Sequence, residues 1–175
     1  TPVDERAYVG ALRHLRYAIK RCDVPEARLP VLHQFESANW TRADPNNASA
    51  RGDFPPSQTA QQAFDGDLKT KWLDFAPQAS WIQYDHYQPT TCSGYAITSA
   101  NDAPGRDPQG WQLQGSNDAN RWTTIDSRRN QMWRKRNETR HFDLKHQTPY
   151  RFYRFNFGPV RDPQNANSIQ IAEIH

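Results

Sequence analysis

The residues of this chain most suited to chemistry are Asp65, Thr70 and Glu173, which all present hard oxygen donors. The first two lie in Ala63-Phe64-Asp65-Gly66-Asp67-Leu68-Lys69-Thr70-Lys71-Trp72, and the third in Ala172-Glu173 at the far end of the sequence. Gly66 permits a tight bend, so that backbone carbonyls can turn toward the same point as the side chains. A turn of this kind suits Ca²⁺, which takes roughly six to eight oxygens. The same decapeptide also reads as an ordinary Asp-Gly turn that leads into a strand. From these residues alone both readings stand.

Signals for catalysis are missing. The sequence has no Gly-x-Ser-x-Gly elbow, no His-Glu-x-x-His, no phosphate loop and no Cys-x-x-Cys pair. Its six histidines are scattered, and a single histidine is more often structural than catalytic. Asp65 and Asp67 could in principle work as an acid-base pair, but a metal turn explains them better. A non-catalytic module is expected, covalently fused to a larger enzyme or receptor. Arg51-Gly52-Asp53 is an integrin-type tripeptide, a match short enough to arise by chance.

The run Arg128-Arg129-Asn130-Gln131-Met132-Trp133-Arg134-Lys135-Arg136-Asn137 places dense positive charge beside two apolar side chains. Residues 128–137 could contact an anionic glycan or lipid surface. They also read as a solvated hairpin with Trp133 turned inward. The net charge of +3 is small, and no basic stripe runs along the rest of the chain, so nucleic acid is not an expected partner.

The elements that must position these groups fall into three zones. At 175 residues the chain suits one domain with a real core and one appended element. Mean hydropathy is low, at −1.02, yet six Trp, seven Tyr and eight Phe supply the bulk for a compact fold. Residues 4–21 read as an amphipathic helix, with Asp4 and Glu5 at its start and Val9, Leu12, Leu15 and Ile19 at helical spacing. A loop-rich stretch follows, marked by Asp44, Pro45, Asn46, Asn47, Gly52, Pro55 and Pro56. From Trp81 onward the pattern becomes short alternating strands: 80–87, 95–98, 111–115, 122–125, 141–144, 151–157 and 169–174. Strands separated by turns, with no helix between them, argue for an antiparallel β-sandwich.

Compartment signals are weaker. Cys22 and Cys92 could pair in an oxidising environment or remain buried thiols. Three sequons, at Asn39, Asn47 and Asn137, lean toward an extracellular or secreted protein rather than a cytoplasmic one. No signal peptide is visible, and no apolar run approaches the roughly 20 residues that span a bilayer.

Six blocks in order carry a resemblance. They are Ala63-Phe64-Asp65-Gly66-Asp67 through Thr70 and Trp72; Trp81-Ile82-Gln83-Tyr84; Arg106-Asp107-Pro108 with Trp111-Gln112-Leu113-Gln114-Gly115-Ser116-Asn117-Asp118; Trp122 and Asp126; Tyr150-Arg151-Phe152-Tyr153-Arg154; and Ile169-Gln170-Ile171-Ala172-Glu173-Ile174. This order resembles discoidin-like domains, also called coagulation factor 5/8 type C domains, which include many bacterial carbohydrate-binding modules. The resemblance implies an all-β, galactose-binding-like jelly-roll sandwich of about eight strands over residues 36–175, with residues 1–35 as an N-terminal helical extension. It also implies a structural Ca²⁺ held by the carbonyls of Gln62, Asp67 and Ala172 and the side chains of Asp65, Thr70 and Glu173.

Ligands of such domains bind in loops at one end of the sandwich. Galactose-binding members resemble one another in a His, an Arg and an Asn or Glu beside an aromatic platform. Here the place of the His, just before Trp81, is filled by Gln78-Ala79-Ser80, a departure that leaves the glycan unspecified. The loop candidates are Trp40, Asp74, Phe75, Asn101 and Arg106: exposed aromatics stack on sugar rings, and carboxamide, carboxylate and guanidinium groups select hydroxyls. Arg106 could instead pair with a nearby carboxylate. Trp72, Trp81, Trp111 and Trp122 occupy strand positions and are assigned to packing. The expected function is a carbohydrate-binding accessory module that attaches a larger protein or enzyme to glycans. The alternative is a protein-interaction or anionic-membrane-docking domain.

Overall fold

The computed structural model describes residues 44–145 and 148–175. The helix expected over 4–21, Cys22, the Asn39 sequon, Trp40 and the boundary at 35/36 lie outside the described residues.

Among the described residues ten short strands form antiparallel pairings: β1 (Ala48–Ala50), β2 (Trp72–Asp74), β3 (Ser80–Thr90), β4 (Gly94–Thr98), β5 (Trp111–Ser116), β6 (Thr123–Arg128), β7 (Thr139–Asp143), β8 (Tyr150–Phe157), β9 (Ile169–Ile171) and β10 (Glu173–Ile174). One sheet runs β1-β3-β8-β5-β6, a second β10-β4-β7, and β2 pairs with β9. The all-β class read from the alternating segments is thereby observed. β1 and β2 carry no such alternation, and β9 and β10 divide the single strand expected over 169–174.

Alternation decides which side chains meet, because successive residues of a strand face opposite ways. In β8, Tyr153, Phe155 and Phe157 are buried while Arg154 and Asn156 are only partly covered. In β3, Ile82 and Tyr84 are buried against them, paired in register with Phe155 and Tyr153. The core between the sheets is aromatic. Trp111 packs edge-on to Phe142 and Phe157, at 5.2 and 6.2 Å between ring centroids, and tilts against Trp133 at 6.1 Å. Its indole N–H donates to Tyr95 Oη at 2.7 Å, and that hydroxyl donates to Asp126 at 2.6 Å, so the polar ends of both rings are satisfied. Trp133 is fully buried, so within 128–137 this aromatic turns inward while Met132, Arg134 and Lys135 face solvent. Trp72 and Trp111 are core residues, whereas Trp81 and Trp122 are only half-buried.

Loops converge at the end of the sandwich where β3 and β5 begin and β8 ends, since Phe157 pairs with both Ser80 and Trp111. The 158–168 segment ties them together: Val160 N donates to Pro77 O, Arg161 N to Asp107 O and Asp162 N to Gly105 O, each at 2.9 Å. Arg136 reinforces this rim through a partly buried ion pair with Asp107 and a hydrogen bond to the Ala100 carbonyl at 3.3 Å.

Candidate functional site

Two groups of candidate residues are distinct in the fold. The first surrounds Thr70. A 3-10 turn, Ala60–Ala63, is fixed at its start by Ala60 N donating to Asp53 (3.0 Å) and by Gln62 Oε1 accepting from Thr59 N (2.8 Å). The chain then bends at Gly66, whose φ of 75° lies in the left-handed region that favours glycine. This bend brings Thr70 Oγ1 within 3.5 Å of Gln62 O, 3.0 and 2.8 Å of the Asp65 carboxylate oxygens, and 2.8 Å of Asp67 O. One hydroxyl proton cannot satisfy four acceptors.

Glu173 arrives from β10, which pairs with the end of β4 at Thr98. Its Oε1 accepts from Gly66 N at 3.0 Å, whereas Oε2 is buried with no hydrogen-bond partner. Burial, with the Asp65 carboxylate beside it, pushes the Glu173 pKa up to about 9. Ala172 is fully buried next to it, and its N–H donates to Thr98 O at 3.0 Å. The cluster is therefore rich in hard oxygen acceptors, and the cationic group facing Glu173 is His175, whose Nε2 lies 4.0 Å from Oε2 and is charged only when protonated; this donor set fits the chemistry of Ca²⁺. Among the described residues no group of three or more His, Cys, Asp or Glu side chains has metal-holding geometry, so a cation here would draw on two carboxylates plus neutral oxygens.

The second group is the loop rim. Asp74, at the end of β2, is buried and fully engaged: Arg51 Nε and Nη2 donate to its two oxygens at 2.8 and 2.6 Å, and Ser80 Oγ donates at 2.5 Å. Gly52 makes this approach possible, since a Cβ there would lie 2.5 Å from Asp74 Oδ1. Both charged ends of Arg51-Gly52-Asp53 are thus used inside the fold. Phe75, next in the chain, is 53% exposed and meets Phe54, 47% exposed, edge to face at 5.5 Å. Asn101 is exposed, with Oδ1 accepting from Lys71 Nζ at 3.4 Å, and Lys71 also pairs with Asp102 at 2.6 Å. Arg106 is half-buried and makes no ion pair among the described residues; with Lys71, its charge helps hold the Asp102 carboxyl below its usual range although burial opposes this.

The rim therefore offers an apolar pair, an amide and an unpaired guanidinium at the loop end, and it commits Asp74 to an internal ion pair. Phe54, Arg51 and Ser80 were not among the sequence candidates. Phe54 had one legible signal, a lone aromatic between Asp53 and the Pro55-Pro56 pair.

Several known proteins are similar to this chain. A peptide-N(4)-(N-acetyl-beta-glucosaminyl)asparagine amidase of Arabidopsis thaliana is 33% identical over 147 residues, covering 80% of this chain and 20% of that protein. The chain thus spans about one fifth of that relative's length. Among solved structures, a Clostridium perfringens family 32 carbohydrate-binding module in complex with GalNAc-beta-1,3-galactose superposes with a TM-score of 0.62 at 16% identity, covering 75% of this chain and 95% of that one. The family 32 module of C. perfringens NanJ, in complex with galactose, gives 0.58 at 16% identity, with 75% and 93% covered. A chitosan-binding module from Paenibacillus sp. IK-5 gives 0.59 at 16% identity, with 73% and 90% covered. At these identities the structural likeness establishes the fold alone. The F5/8 type C domain model matches residues 45–174, and the chain belongs to that family.

Proposed function

We propose that this domain is a non-catalytic carbohydrate-binding module that attaches a larger protein to glycans through its loop rim. One observation carries the reading: the Phe54–Phe75 pair stands in solvent on the same tied set of loops that presents Asn101 and Arg106. Exposed aromatic edges and faces offer apolar area to the C–H face of a sugar ring, and the neighbouring amide and guanidinium can select its hydroxyls. Asp74 acts in this arrangement by holding Arg51 and Ser80, which fixes the base of Phe75. The glycan binding of the structural neighbours supports the class of ligand, and the larger amidase supports attachment to another domain. In such a parent the ligand would be an asparagine-linked glycan.

The cluster of Gln62, Asp65, Asp67, Thr70, Ala172 and Glu173 would hold a Ca²⁺ ion. Its chemistry there is structural: it would neutralise two adjacent carboxylates and tie the 62–70 turn to β10.

A second reading, docking on an anionic membrane, draws on exposed Met132 flanked by Arg134 and Lys135. A glycan array with parallel liposome sedimentation separates the two. Saturable glycan binding that is lost in Phe75→Ala, Asn101→Ala or Arg106→Ala supports the rim; sugar-blind sedimentation with anionic vesicles overturns it.

A further inference from the structure

The outward face of the five-stranded sheet carries a cation that the fold does not neutralise. Alternation puts Trp81 and Gln83 of β3, Arg154 and Asn156 of β8, and Gln112 and Gln114 of β5 on this face, with Gln83 and Gln114 flanking Arg154 in register. The Arg154 guanidinium is clamped between two indoles, 4.6 Å from the Trp81 centroid and 4.0 Å from Trp122. Its Nε and Nη2 donate to Gln83 Oε1 at 3.1 and 2.8 Å, while Nη1 has no hydrogen-bond partner and the residue makes no ion pair among the described residues. The other arginines of this sheet differ: Arg151 is paired with Asp85 and Arg128 with Asp126. Burial without a nearby carboxylate lowers the Arg154 pKa. A held guanidinium with one open end is a geometry suited to two-point contact with a carboxylate.

An open groove of about 460 Å³ continues from Asn156 along the same face, lined by Gly110, Gln112, Ser127, Arg129 and Gly158. Gly110 and Gly158 add no side chains to its lining. The amides and the hydroxyl each both donate and accept, as sugar hydroxyls do, and Asn156 Nδ2 is already oriented by Gln114 at 2.8 Å. Arg129, exposed on the groove wall, makes no ion pair among the described residues, so the groove and Arg154 share one sign of charge.

We propose that this sheet face is a second binding site, for a carboxylate-bearing oligosaccharide whose acid group is taken by Arg154 and whose neighbouring rings lie over Gln112 and Asn156. The site is independent of the loop rim, and either can fail without the other.

The test is an NMR titration of the full chain with a galacturonic acid trisaccharide, its carboxyl-reduced counterpart and a tri-glutamate peptide. The acidic trisaccharide is expected to shift the Trp81 and Trp122 indole N–H signals and the Gln112 amide, and to bind about tenfold more weakly to Arg154→Gln but normally to Phe75→Ala. Arg129→Gln and Gln112→Ala, both at exposed positions, carry the same test if Arg154→Gln does not fold, with about threefold weakening expected. Equal binding of the reduced trisaccharide, equal binding of the peptide, shifts confined to Phe75 and Asn101, or no saturable binding would each overturn the proposal.

Discussion

Asp74 and Glu173 are both buried carboxylates at strand ends, yet their surroundings are opposite. Asp74 receives two hydrogen bonds from Arg51 and one from Ser80, so both its oxygens are satisfied from within the fold. Glu173 receives one from Gly66, keeps an oxygen with no hydrogen-bond partner, 4.0 Å from His175 Nε2, and lies beside a second carboxylate. A buried carboxylate that supplies its own counter-charge is a structural tie; one that lacks it is waiting for a proton or a cation. The contrast separates a carboxylate tied from within the fold from one that the proposed cation would tie.

The largest effect that sharpens this contrast is expected at Glu173 itself. In cation-free protein its folded pKa of about 9 exceeds the unfolded value of roughly 4.3. The folded state therefore holds the proton through this window, and the stability it confers is full below the unfolded value and lost as pH rises through the folded one. Between pH 7 and 9, above the range where His86 titrates, cation-free protein is expected to lose roughly 1.4 kcal/mol per pH unit from this group. Thermal melts across that range check the slope, which Glu173→Gln should flatten.

Asp74→Asn comes next. It strips the charge partner from Arg51 and is expected to cost roughly 2–3 kcal/mol at neutral pH, with no response to Ca²⁺; denaturant unfolding measures this. A loss below about 0.5 kcal/mol would remove the distinction between the two carboxylates. Comparable in size, Ca²⁺ at a hundred times its dissociation constant should stabilise the wild type by about 2.7 kcal/mol and leave Glu173→Gln unmoved. An unchanged melt in excess chelator and in excess Ca²⁺ alike would contradict the cation reading. The smallest effect on stability is expected at the rim: Phe75→Ala should stay within about 0.5 kcal/mol of the wild type while weakening glycan binding about tenfold, read by calorimetric titration.

Much of the fold was legible because strand alternation is a property of each segment alone. Trp81, Ile82, Gln83 and Tyr84 show it without reference to any partner, and so do Phe155, Asn156 and Phe157. β1 was not legible, since three residues are too few to display a period; β2, buried throughout at Trp72-Leu73-Asp74, was signalled by the turn before it and the strand position of Trp72 rather than by alternation. The oxygen cluster was partly legible: Gly66 and the spacing of Asp65 and Thr70 announce a turn, but Glu173 was joined to it only by the family resemblance, and the β10–β4 pairing is what brings it there. The rim was least legible. Asp74 and Phe75 are adjacent, and sequence gives both the same loop character, while the structure sends one inward to Arg51 and the other into solvent. That difference is decided by Arg51, 23 positions away from Asp74, and Phe54 becomes a neighbour of Phe75 by the same folding of the 51–59 loop.

The most direct test of the proposed function is an NMR titration of the isotope-labelled chain with a glycan identified on the array. The expected result is a saturable set of shifts centred on Phe54, Phe75, Asn101 and Arg106, lost in Phe75→Ala with the remaining spectrum intact. Saturable glycan binding that leaves those four residues unshifted, or that survives Phe75→Ala and Arg106→Ala together, would contradict it.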